Sequence, residues 1–82
     1  MTFVIYIYIL ESISNKHRHY VGLTDDLDKR LKIHNSGKCN HTAKYCSWQI
    51  KTAIAFMEKN KAVAFEKYLK SHSGRAFSKR HF

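Results

Sequence analysis

Proline is absent from this chain of 82 residues, glycine occurs three times and cysteine twice. Without proline, no residue forbids a helix interior or removes a ladder donor from a strand. With so few glycines, most of the chain is free to be regular structure. The pair Cys39 and Cys46 is too little for a disulfide framework, so a reduced, cytoplasmic protein is expected. Carboxylates are scarce as well. Six Asp and Glu stand against fifteen Lys and Arg, a net charge of +9. That excess favours a polyanion as partner, most simply nucleic acid. Long apolar runs are missing. The most apolar stretch, residues 1–10, is too short to cross a bilayer and lacks the basic start of a signal peptide. No basic helix carries a wide apolar face, so no membrane partner is expected.

What the chain does have is enough apolar and aromatic material for one small core, and residues 1–82 are expected to form a single domain. Residues 3–11 are apolar on both faces: Phe3, Ile5, Ile7 and Ile9 on one, Val4, Tyr6, Tyr8 and Leu10 on the other. Such a strand belongs in the middle of a sheet. Polar residues 12–18 read as a hairpin loop and 19–23 as a second, antiparallel strand. Thr24 or Asp25 is placed to cap a helix over residues 26–35, with Asp26 and Asp28 near its positive end, and Gly37 stops it. Residues 36–47 form a polar, basic loop. Trp48, Ile50, Thr52, Ile54 and Phe56 alternate through a third strand over 48–57. Asn60 caps a second helix, over 60–72, that residues 71–74 end, and 75–82 make a last short helix. The order β-β-α-β-α-α predicts an α+β fold, a small three-stranded antiparallel sheet flanked by helices.

Two of these helices turn polar groups toward their apolar stripes. Glu66 shares the stripe of Ala62, Phe65 and Leu69, four residues after the first and three before the last. A buried carboxylate costs several kcal/mol, roughly, unless a cation or donors meet it. Arg30 and His34, four apart, flank the arc marked by Leu27 and Leu31. A cation for phosphate and a carboxylate for a metal are what phosphate chemistry requires. Singly, each residue has a plainer reading. Tyr8 and Tyr20 could be packed strand tyrosines, Arg30 and His34 a solvated helix edge, and Glu66 a surface partner of Lys70.

Taken together, the residues have an order. Tyr6-Ile7-Tyr8 lies in the first strand and Tyr20-Val21-Gly22 in the second. Arg30 follows ten residues after Tyr20, His34 four later, and Glu66 on the next long helix. This arrangement resembles the GIY-YIG nuclease superfamily, in particular its small single-domain members, over essentially the whole chain. The resemblance implies that Tyr8, Tyr20, Arg30, His34 and Glu66 are catalytic and that Glu66 holds Mg²⁺ or Mn²⁺. Tyr6 stands where the first tripeptide has glycine. An asparagine that follows the glutamate in many members has Ser78 or Lys79 as its nearest counterpart.

The implied function is metal-dependent endonucleolytic hydrolysis of DNA with water as nucleophile. Mg²⁺ takes oxygen ligands, keeps waters and often needs only one or two carboxylates. Arginine grips phosphate with paired hydrogen bonds. Tyr20 would orient or deprotonate the water. A tyrosine with the ordinary pKa of about 10 is a weak base at neutral pH, so His34 stands as an alternative base. Lys38, His41 and Lys44 in the loop, and Lys67, Lys70, Arg75 and Lys79 in the C-terminal third, are the expected backbone contacts. His41 could reach the active site from its loop. The spacing C-x-H-x4-C around it is not a recurrent zinc pattern. No base-reading motif is evident, so a protein partner that supplies targeting fits the chain, as does a monomer or weak dimer. The alternative reading is a non-catalytic nucleic-acid-binding module with the same fold.

Overall fold

The computed structural model describes residues 4–82; the expected strand positions Phe3 and earlier lie outside them. The elements are β1 (Ile5–Ser12), β2 (His19–Thr24), α1 (Leu27–Asn35), one 3-10 turn (Ala43–Tyr45), β3 (Trp48–Phe56), α2 (Lys59–Lys70) and α3 (His72–His81). All pairing is antiparallel and the sheet order is β2-β1-β3. The strand that is apolar on both sides is therefore the central one. The α+β architecture and its element order agree with the sequence pattern.

Each face of β1 builds its own core. Ile5, Ile7 and Ile9 pack with Ala62 and Leu69 of α2, joined by Phe77 and Phe82 at the C-terminal end. Tyr8 and Leu10 pack with Trp48, and Leu27 and Leu31 of α1 cover them. The sheet thus separates an α1 face from an α2 face. No helix among the described residues is long and apolar enough to cross a membrane.

Several boundaries differ from the sequence expectation, each for a local reason. Strict alternation puts Trp48, Ile50, Thr52, Ile54 and Phe56 on one face. The register slips between Ile9 and Leu10, which pair with Thr52 and Ile50, so Lys51 is an extra residue in β3. This bulge sends Trp48 and Ile50 to the α1 face while Phe56 stays with the α2 core. The cap of α1 is Asp26, whose carboxylate accepts from Lys29 N at 3.1 Å. Thr24 acts one step earlier, its Oγ1 accepting from Asp26 N at 3.1 Å. The residue before α2 is Glu58, not Asn60, and its carboxylate meets Lys61 at 2.9 Å instead of capping the backbone. Residues 71–74 do not end the helical region. Ser71 closes α2 and at once caps α3, its hydroxyl accepting from Gly74 N at 3.1 Å. Gly37 does follow α1 with φ +77°, the left-handed value a helix stop needs.

Candidate active site

Tyr8 stands at the centre of the α1 face and is 2% exposed. Its register partner on β2 is Gly22. A Cβ at position 22 would run into the Tyr8 hydroxyl and ring. The glycine of Tyr20-Val21-Gly22 is thus required by packing, because it leaves the space in which Tyr8 lies across the edge strand.

Helix α1 brings two groups to the Tyr8 hydroxyl. His34 Nε2 lies 3.0 Å from Tyr8 Oη, and Arg30 Nε donates to the same oxygen at 3.4 Å. Arg30 and His34 are one turn apart, and the apolar contacts of Leu27 and Leu31 hold their helix against the sheet. His34 is fully buried. Its other nitrogen, Nδ1, lies 2.8 Å from Thr42 Oγ1. Thr42 is itself buried and its carbonyl accepts from Trp48 Nε1 at 2.8 Å. Asn35 then ties the end of α1 to β3: its Nδ2 donates to Trp48 O at 3.1 Å and its Oδ1 accepts from Trp48 N at 2.6 Å. The half-buried Tyr20 ring completes the group, 4.8 Å from the His34 ring and 6.3 Å from that of Tyr8.

Burial pushes the Tyr8 phenol above its ordinary pKa, although the Arg30 hydrogen bond opposes this. Burial and then the Arg30 charge push His34 down, so its imidazole is neutral at neutral pH. The hydrogen bond to Tyr8 raises Arg30 further, and it remains a cation. The cluster is one fixed positive charge on a scaffold of neutral, mutually bonded side chains.

Of the five expected catalytic residues, the structure brings Tyr8, Tyr20, Arg30 and His34 together. Glu66 it does not. α2 packs on the opposite face of the sheet, where Ala62 and Leu69 are buried and Glu66 lies on the flank of their stripe, its side chain 22% exposed. The full burial expected for this carboxylate is not found, because the stripe narrows between its two anchors. Instead Glu66 pairs with Lys70 at 3.5 Å, and among the described residues it shares no hydrogen bond or ion pair with the Tyr8 cluster. The edge strand β2, on which α2 also packs, is the border between the two. No group of three or more His, Cys, Asp or Glu gathers among the described residues. A partly exposed carboxylate with one loose ion pair suits a hard cation that keeps most of its water, which fits Mg²⁺ or Mn²⁺.

The expected backbone contacts are all exposed and fall into two sets. Lys38, His41 and Lys44 belong to the loop that also carries Thr42, while Lys67, Lys70, Arg75 and Lys79 belong to α2 and α3. His41 does not reach the cluster: it is exposed, and its neighbour Thr42 makes the contact with His34. Thr42 is the residue that sequence reasoning misses. A threonine eight positions after His34 in a polar loop carries no pattern, and only the folded chain shows that it is buried. Cys39 and Cys46 are both free.

The family described as GIY-YIG catalytic domain matches residues 4–80. Among solved structures, the chain is similar to the UPF0213 protein BH0048 from Bacillus halodurans, determined by solution NMR. The two share 32% identity and superpose with a TM-score of 0.56, over 93% of this chain and 80% of that one. No curated protein sequence matches the chain.

Proposed function

Because this chain belongs to the GIY-YIG catalytic-domain family, whose members are nucleases, we propose that it is an endonuclease that hydrolyses phosphodiester bonds in DNA. Water is the nucleophile, and Mg²⁺ or Mn²⁺ is held by Glu66. The observation that carries this reading is the Arg30–Tyr8–His34 arrangement. Arg30 spends only its Nε on Tyr8, which leaves both Nη groups without a protein partner among the described residues. Those groups can take two phosphoryl oxygens of a substrate and stabilise the charge that develops on them.

The other residues have narrower tasks. Tyr8 accepts from Arg30 and so aims the guanidinium. His34 is neutral and engaged at both nitrogens, so it serves as the brace of Tyr8 and not as the base. Tyr20 makes no hydrogen bond among the described residues, and its hydroxyl is the group best left to hold the attacking water. Bound at Glu66, a divalent cation would supply charge for the phosphoryl oxygens and lower the pKa of a water. The exposed lysines and arginines hold the backbone of the nucleic acid without reading bases.

A second reading, a binding module without catalysis, draws on the separation of Glu66 from the cluster and on its pairing with Lys70. The two readings part on metal and on Glu66. Labelled single-stranded, duplex, flap and branched DNA, and RNA, are incubated with wild type and with Glu66→Ala in Mg²⁺, Mn²⁺ or EDTA. Metal-dependent cutting that disappears in Glu66→Ala is expected. Binding by wild type without cutting in any metal would establish the module instead.

A further inference from the structure

The largest cavity lies away from the Tyr8 cluster. A cleft of about 730 Å³ opens on the α2 face, between the hairpin end of the sheet, the end of α2 and helix α3. Its floor is apolar, formed by Ile9 of β1, Val21 of β2 and Leu69 of α2. Its rim is cationic, and no carboxylate lines it. Nearby carboxylates account for some of that charge: Glu11 meets His19 at 3.3 Å and Lys51 at 3.8 Å, and Glu66 meets Lys70 at 3.5 Å. Arg75 and Lys79, one turn apart on α3, have no ion-pair partner among the described residues.

Between them in the wall is Ser78. Its hydroxyl is the one buried side-chain polar atom without a hydrogen-bond partner among the described residues. Folded proteins seldom leave such an atom unpaired, since its lost hydration is not returned. Here it borders a cavity next to two unpaired cations. An anion in the cleft would pair all three.

We propose that this cleft is a nucleotide-binding subsite, separate from the Arg30 cluster. One phosphate of the bound nucleic acid sits between Arg75 and Lys79 and accepts from the Ser78 hydroxyl, and the sugar and base of that nucleotide lie over Ile9, Val21 and Leu69. A bare inorganic anion would satisfy the rim but leave the apolar floor wet. A nucleotide satisfies both, because it joins a dianionic or monoanionic phosphate to a flat, poorly hydrated body. Tyr20 links the cleft to the catalytic face: it lines the cavity and also packs against His34. A strand that crosses the β2 edge therefore touches both. The inference rests on the nucleic-acid reading above, and it concerns binding without metal.

The test is an NMR titration of the full chain in EDTA with thymidine 5′-monophosphate, and separately with inorganic phosphate. The mononucleotide is expected to shift the methyls of Ile9, Val21 and Leu69 together with the amides of residues 75–79. Inorganic phosphate is expected to shift only the amides. Arg75→Gln with Lys79→Gln should weaken mononucleotide binding about tenfold, and Ser78→Ala, which changes no charge, about threefold. Lys29→Gln with Lys32→Gln removes the same charge from α1 and should cost less than about twofold. Amide shifts scattered over the basic surface with silent floor methyls would overturn the proposal. So would an equal loss in the α1 variant. A chain that cuts DNA yet fails this titration loses the cleft and keeps the nuclease. A chain that passes it without cutting loses the nuclease and keeps the cleft.

Discussion

The hydroxyl of Tyr8 and Nε2 of His34 stand 3.0 Å apart, although 26 positions separate them in the chain. This one bond joins the central strand to α1, and Arg30 Nε joins it at 3.4 Å. The only charge in the cluster is thus aimed by two buried, uncharged side chains, and its orientation is set by packing. The consequences can be measured.

Tyr8→Phe keeps the ring and removes the shared oxygen. His34 Nε2 is then buried without a partner, and Arg30 loses its guide. Unfolding stability should fall by roughly 1–3 kcal/mol in a urea titration. DNA cleavage should fall at least about tenfold with little change in DNA affinity, because the exposed basic residues are untouched.

Gly22→Ala places a methyl where the Tyr8 phenol lies. Both residues are buried on a central pairing of the sheet, so neither can move freely. Overpacking of this kind costs about 1–3 kcal/mol. The expected signature is that loss together with a displaced Tyr8 ring resonance and reduced cleavage. Retained activity with an unmoved ring would show that the close approach is not needed.

His34 gives the fold a pH dependence of definite sign. Its pKa in the native state is below the ordinary value of about 6.5, chiefly because it is buried. The unfolded chain therefore binds a proton that the native state resists. The stability that comes from keeping His34 neutral is complete above about pH 6.5 and is lost as the pH falls below it, by at most about 1.4 kcal/mol per pH unit. Urea midpoints measured from pH 5 to pH 8, roughly the window in which histidines titrate, should show this slope in wild type. His34→Gln should be less stable throughout and lack that slope. The remaining histidines are exposed, so the difference between the two proteins isolates the buried one.

Thr42→Val preserves shape and removes the oxygen that pairs His34 Nδ1. The Thr42 carbonyl would still accept from Trp48, so the loop should stay in place. The expected loss is about 1–3 kcal/mol in a urea titration. An unchanged midpoint would mean that the 2.8 Å contact contributes nothing to the fold.

Glu66→Gln should separate function from stability. Its pairing with Lys70 is a partly exposed, one-turn helix pair, worth a few tenths of a kcal/mol at most, roughly. Thermal unfolding should therefore be almost unchanged. Line broadening by Mn²⁺ at residues around position 66 should disappear in the variant. Broadening that persists would place the cation elsewhere.

Much of this was legible in the residues themselves. The two apolar faces of β1 predict its central place, because no edge strand can bury both. The order of Tyr8, Tyr20, Arg30, His34 and Glu66 points to the family, and four of the five do meet. Helical spacing is enough to put Arg30 and His34 on one side of α1, since positions four apart lie above one another. Less was legible where a local choice is settled by a neighbour. Asp26, Thr24 and Asp25 all have capping side chains, and the turn between β2 and α1 selects Asp26. Ser71 can end one helix and begin the next only because the backbone of Gly74 can approach Tyr68 closely.

What the sequence determined by itself is the set of parts: a strand apolar on both faces, amphipathic helices of known length, a basic surface and a family order of polar residues. These follow from side-chain chemistry and from the periods of strand and helix, which are properties of the chain at short range. Only the tertiary structure decided how the parts face one another. A single extra residue, Lys51, turns half of β3 to the other side of the sheet. Thr42 becomes the partner of His34 through a loop that no period describes. Glu66 is carried to the α2 face while Arg30 stays on the α1 face, because the strand between them is buried on both sides and each helix must cover one.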